Sequence, residues 1–214
     1  MIVADTANLH TFVDAFRFIG DNPHFLLTKT FEQIELSAAA LGLALLAALP
    51  LGVVLGHFRR GSGIAIGASI VGRGLPSLVL IAAFLTILGI GFVNNMVALG
   101  VLGTGPILTN SYDAVVGVDR DTVEAARGMG MTRPQILGRV ELPLAIPLLF
   151  TGIRVAAVTI VATAPIAAIA GGGGLGDIIV NQASYRLEGV LGASFCVWRS
   201  PPLSSWRWPG SSSR

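Results

Sequence analysis

Charge is scarce in this sequence. Only 12% of the 214 residues are Asp, Glu, Lys or Arg, about half the share of an ordinary soluble domain. With 53% apolar residues and a mean hydropathy of +0.75, that shortage excludes a water-soluble globule and a disordered chain. Cysteine is almost missing too: Cys196 stands alone and cannot close an intrachain disulfide, so the thiol content carries no redox information. Three histidines, at 10, 24 and 57, are too scattered to ligate a metal. Lys29 is the only lysine, and the arginines lie at intervals along the chain, which leaves no basic stripe for nucleic acid. The first 14 residues lack the basic and apolar regions of a cleavable signal peptide.

Long uncharged runs fill the space that charge leaves. Residues 36–56 form one, and as a helix they reach about 31 Å, the thickness of a bilayer's hydrocarbon core. Residues 74–112 form a second, about 58 Å long as a single helix, so it must divide into two spans. The break falls at residues 89–95, where Gly89, Gly91, Asn94 and Asn95 suit a tight, water-facing turn. A fourth span occupies 142–170; it contains Arg154 and three prolines, Pro143, Pro147 and Pro165, tolerable where neighbouring helices satisfy freed carbonyls. Gly42, Gly52 and Gly56 are candidate close-packing points on the first span.

Arginine placement orients these spans. Arg59, Arg60 and Arg73 follow the first, and Arg120, Arg127, Arg133 and Arg139 follow the third, whereas the opposite side holds Arg17, Lys29 and Arg186. Basic loops are retained inside, which predicts that these two Arg-bearing loops face the cytoplasm and the N-terminus lies outside. Residues 1–35 then form an external segment, with Phe12, Phe16, Phe18, Phe25, Leu26 and Leu27 suited to the outer leaflet. Residues 36–188 form the transmembrane domain.

The polar loop 113–141 holds nine of the 26 charged residues. Asp121 with Glu124, and Thr132 with Gln135, each have the spacing of a capping box, so the loop reads as two short helices. Gly128-Met129-Gly130 separates them, and Pro143 is expected to end the second. A solvated connector would need none of this detail. The run Glu124-Ala125-Ala126, three residues, Gly130, nine residues, Val140, one residue, Leu142-Pro143 resembles the cytoplasmic signature of ABC importer permeases, with Val in place of Ile at 140.

Resemblance covers about residues 22–194. Gly74-Leu75-Pro76-Ser77-Leu78, Leu88-Gly89-Ile90-Gly91-Phe92 and Gly173-Gly174-Leu175-Gly176-Asp177 are similar to segments of osmoprotectant permeases, which handle glycine betaine, choline, carnitine or proline betaine. The resemblance implies an all-α, multi-pass integral protein of the bacterial plasma (inner) membrane with the type I ABC importer core. It implies that Glu124, Ala125, Ala126, Gly130, Val140, Leu142 and Pro143 couple the spans to an ATPase subunit. Further partners would be an extracytoplasmic solute-binding protein, a second permease copy, identical or related, and membrane lipid. No cofactor is expected on this chain: it contains no G-x-x-x-x-G-K-[ST], so ATP and Mg belong to the partner ATPase, and the chain is no enzyme. Residues lining the substrate path are not legible.

Other classes fare worse. A proton-coupled carrier needs carboxylates in its spans, and 36–112 holds none. Gly171-Gly172-Gly173-Gly174-Leu175-Gly176 fits a dinucleotide fingerprint but lacks a βαβ context, so it reads as a flexible external hairpin. Arg154 reads as snorkelling to the headgroups or paired structurally. A permease for methionine or another amino acid, or a non-functional truncated remnant, are the alternatives. The last arises because 189–214 departs from the rest: a fifth span starts at Gly189 but meets Arg199 after ten uncharged residues, and all three tryptophans follow Val197. A shifted reading frame over 198–214 would restore an apolar run. The expectation is therefore four complete spans plus an incomplete or frameshifted fifth.

Overall fold

The computed structural model describes residues 14, 15, 17–59, 63, 67 and 77–199, without the side chains of 182–188, 198 and 199. Arg60, Arg73, Phe12, Phe16, Gly74-Leu75-Pro76 and the tail 200–214 lie outside the described residues. Among those described, the regular structure is entirely helical.

Helix α1, Pro23–His57, begins on a proline whose missing N–H costs nothing at a first turn. Its buried face repeats every four residues: Leu36, Ala40, Ala44, Ala48, Gly52 and Gly56. That interval is one helical ridge. The ridge is made of small side chains from Ala40 onward, and α3, Phe92–Val116, lies against it. A Cβ on Gly52 would stand 2.7 Å from Ser111 Cβ and 2.8 Å from the Leu108 carbonyl oxygen, and one on Gly56 2.9 Å from that of Tyr112. Gly42, by contrast, faces open space and is not a packing point.

Helix α2, Ser77–Leu88, packs Ile81 against Ala98 and Leu99 of α3. The break between them falls at Gly89 and Gly91, both with positive φ. Asn94 and Asn95 do not belong to that turn. They sit inside the first turns of α3, 1% and 0% exposed. Asn95 Nδ2 donates to the carbonyls of Gly91 and Ala170, and the Gly91 N–H donates to Ala170 as well. Satisfying a buried chain end outweighs the asparagine's preference for water.

Beyond the polar loop, described below, α6 runs over Leu142–Thr163 and tightens into a 3₁₀ stretch, Ala164–Ala170. Gly152 of α6 meets α3 closely, its absent Cβ only 2.6 Å from Asn110 Cβ. A short α7, Gly176–Val180, and α8, Gln182–Arg199, complete the chain. The expected fifth span, from 189, thus lies within a helix that already starts at 182. Among the described residues three helical stretches, Pro23–His57, Phe92–Val116 and Arg133–Ala170, are long and apolar enough to cross a membrane. The twelve-residue α2 is shorter.

Gly171-Gly172-Gly173-Gly174 is docked rather than a free hairpin. Three of its glycines take positive φ, the Gly174 N–H donates to Glu32 Oε2 at 2.9 Å, and Leu175 joins Leu26 and Ile178 in a small core.

Candidate functional site

The polar loop folds as an elbow on a core of its own. Helix α4, Arg120–Gly128, is capped by Asp119, whose Oδ2 accepts from the Thr122 N–H at 3.4 Å and its hydroxyl at 3.1 Å. The cap therefore sits two residues before Asp121, because Asp119 is the last residue outside the helix and the only one placed to receive those donors. Glu124 consequently lies mid-helix, exposed, rather than in the first turn. Helix α5, Arg133–Ile136, has the expected capping box, with Gln135 Oε1 accepting from the Thr132 N–H at 2.8 Å.

Between the two helices the backbone makes a two-bond closure. The Gly130 N–H donates to the Arg127 carbonyl and the Met131 N–H to that of Ala126, with Gly130 at φ +85°. This is a Schellman motif, and it needs a left-handed residue at Gly130 and an apolar contact at Met131. Both are present: Met131 packs with Val118, Val123, Ala126, Ile136 and Val140. The four-residue interval from Ala126 to Gly130 is thus the interval between the carbonyl that closes the motif and the residue that turns the chain.

The signature residues divide by face. Ala126 and Val140 turn into the elbow's own core, so Ala126 does not lie on the outer surface. Glu124, Ala125 and Met129 form the outward face, Met129 being 77% exposed. Leu142 packs onto the cluster of Val53, Val115 and Leu149, joining the elbow to the spans, while Pro143 is exposed. Pro143 does not end the helix as expected. A π turn, Leu137–Glu141, leads straight into α6. The wider turn relieves the clash a proline makes with the carbonyl four residues back, and proline near a helix start loses no needed N–H.

A pair missed by the sequence reading anchors the elbow. Glu141, inside the signature between Val140 and Leu142, is 4% exposed. Its Oε2 shares a 2.5 Å hydrogen bond with Nδ1 of His57, the last residue of α1. A buried carboxylate is tolerated only with such a partner. The sequence signals were an acid next to an apolar helix start and a histidine at the end of a span, 84 residues apart. At the opposite end of α1, Lys29 Nζ donates to Glu32 Oε2 and Asp177 Oδ2, both at 2.9 Å. Arg154 is exposed and makes no ion pair among the described residues.

Long apolar helices joined through a capped polar elbow define a helical multi-pass membrane protein. Known proteins agree. Residues 48–197 match the family of binding-protein-dependent transport system inner membrane components. The chain is 40% identical to a choline transport system permease protein of Bacillus subtilis, over 85% of this chain and 84% of that one. It is 36% identical to a carnitine transport permease protein of Listeria monocytogenes, over 84% and 83% of the two chains. An osmoprotectant import permease protein of Salmonella typhimurium is 33% identical over 80% and 82%. Among solved structures, an inward-facing methionine ABC transporter superposes with a TM-score of 0.70 at 25% identity, covering 82% of this chain and 90% of that one.

This chain belongs to the binding-protein-dependent transport system inner membrane component family. It is a multi-pass permease subunit with the type I ABC importer core; ATP hydrolysis belongs to a separate ATPase, and a solute-binding protein is the other partner the family implies.

Proposed function

We propose that the chain forms the membrane path of an importer for a compatible solute such as choline, carnitine, glycine betaine or proline betaine. The likeness to choline and carnitine permeases supports the solute class, and the elbow carries the coupling role: a self-cored helix pair whose outward face offers Glu124, Ala125 and Met129 to a partner. A separate core matters because it lets the elbow move as a unit when pushed. Ala125 allows close approach, Met129 adapts its shape to a groove, and Glu124 offers a charge to a cation there. Val140, Leu142 and the His57–Glu141 pair then carry displacement into α1 and α6.

The partner ATPase binds ATP and Mg. A second permease copy, identical or related, completes the path, and the N-terminus faces outward, as the arginine placement supports. ATP-driven closure of the ATPase pair would favour one conformation of the spans and hydrolysis the other. Recognition of a quaternary ammonium solute would rest mainly with the binding protein, where aromatic faces hold a cation without hydrogen bonds. The fold match to a methionine transporter supports a second reading, import of an amino acid, but at lower identity than the choline permease.

Uptake by proteoliposomes holding the chain with its ATPase and binding protein tests these readings. ATP-dependent accumulation of labelled choline, carnitine or glycine betaine, and not of methionine, is the expected result. Methionine accumulation alone would replace the substrate assignment. No uptake of any of them by an assembled complex would favour a non-functional remnant.

A further inference from the structure

A second feature of the elbow is not used in the coupling role. Between the end of α1 and the inner side of α4 and α5 lies a cavity of about 360 Å³, lined by Arg59, Arg127 and Arg133 together with Phe58 and the His57–Glu141 pair. Two chain segments far apart in sequence, the end of α1 and the elbow, deliver these guanidiniums. None of the three makes an ion pair among the described residues, and Glu141, the one carboxylate in the lining, is already engaged by His57. The lining therefore carries a net charge of +2 or more.

Arg59 reaches the rim at a conformational cost. With φ +50°, it is the only non-glycine residue of positive φ among those described. Its N–H donates to the Gly56 carbonyl, so this left-handed turn is the one that closes the end of α1 and brings the side chain to the rim. The uncharged run of α1 ends at Gly56 and the cavity begins at His57, so with residues 36–56 filling the hydrocarbon core the cavity would stand at the headgroups. Guanidinium forks match tetrahedral oxyanions and bind them through paired hydrogen bonds.

We propose that this cavity is a phosphate-binding site that takes the headgroup phosphate of an anionic phospholipid. A phosphodiester, like a carboxylate, brings two free oxygens and one charge, so position and not charge count selects it: anchored in the membrane, it reaches guanidiniums at the end of a span with its acyl chains left in lipid. Occupancy bridges the end of α1 to both elbow helices, so the lipid becomes part of the joint between spans and elbow.

Native mass spectrometry of the full-length permease, alone and with its ATPase, after exchange into phosphatidylglycerol or phosphatidylcholine micelles tests this. Phosphatidylglycerol should be retained at least about fivefold more than phosphatidylcholine, in both preparations. Arg127→Gln with Arg133→Gln should abolish that preference, whereas Arg120→Gln with Arg139→Gln, which removes equal charge outside the cavity lining, should keep it. Arg59→Gln alone, which leaves the elbow sequence intact, should weaken retention if the double variant proves too unstable to purify. Displacement of the lipid by millimolar inorganic phosphate would keep the site and make free phosphate its ligand. Equal retention of the two lipids, equal loss in both double variants, or loss of retention once the ATPase is bound would overturn the proposal, the last because partner carboxylates would then fill the cavity.

Discussion

At Gly130 the reason for glycine is conformational and nothing else. No atom lies within 4 Å of where its Cβ would be, yet φ is +85°. A side chain therefore meets no neighbour and only the intrinsic left-handed cost of about 1–2 kcal/mol, with asparagine more tolerant than most. ATP-driven uptake should accordingly fall in the order Gly130, Gly130→Asn, Gly130→Ala, Gly130→Val, with the protein still inserted and folded. Equal transport by the valine variant would remove Gly130 from the coupling geometry. The same residue shows what a sequence can convey. The interval from Ala126 to Gly130 was readable as a pattern, but its cause, two hydrogen bonds closing around a left-handed residue, needed coordinates. Asp119 was misplaced by two positions for a related reason: several acids stood in line, and only geometry selects the one whose oxygen reaches Thr122.

The helices obey a simpler rule, and more of them was legible. Spans come from uncharged length, so α1, α3 and α6 were readable, and so was the break at Gly89 and Gly91. Glycine alone, however, does not say which way it faces. Gly42 and Gly52 lie on one helix of one composition, yet only Gly52 falls on the ridge set by Leu36 and the alanines after it. Gly52→Ala should thus lower the melting temperature of the detergent-solubilised protein, because the new methyl would press on Ser111 and the Leu108 carbonyl. Gly42→Ala should leave it unchanged or raise it, since it gains up to about 1 kcal/mol of helix propensity with nothing in the way. Similar melting of the two variants would contradict the assigned ridge. Asn94 and Asn95 failed as turn residues on this scale: composition suggested water, whereas Asn95 donates to the end of the 3₁₀ stretch and Asn94 is buried with no hydrogen-bond partner among the described residues.

Over the whole molecule, burial decides how orientation is measured. A cysteine at 94 would be shielded from reagent, since Asn94 is 1% exposed, whereas Ile90 is 79% exposed and Asn181 also reaches the surface. With Cys196→Ser as background, Ile90→Cys and Asn181→Cys should react with an impermeant maleimide added outside intact cells, and Arg120→Cys should react only after lysis. Labelling of Arg120→Cys in intact cells would invert the proposed topology. Long-range pairing was the part of the molecule least open to sequence reading. Lys29 with Asp177, and His57 with Glu141, join residues 148 and 84 apart, and neither pair follows from local spacing.

Those two pairs sit near opposite ends of one uninterrupted helix of 35 residues, about 52 Å long. Such a helix works as a beam on a pivot. If it tilts about its midpoint by about 10°, simple trigonometry on that length moves each tip by about 4.5 Å, in opposite directions. If the elbow pushes on Glu141 as proposed, that push would reappear, reversed, near Asp177, and the two ends of the helix would be kept out of step by the length of a single rod.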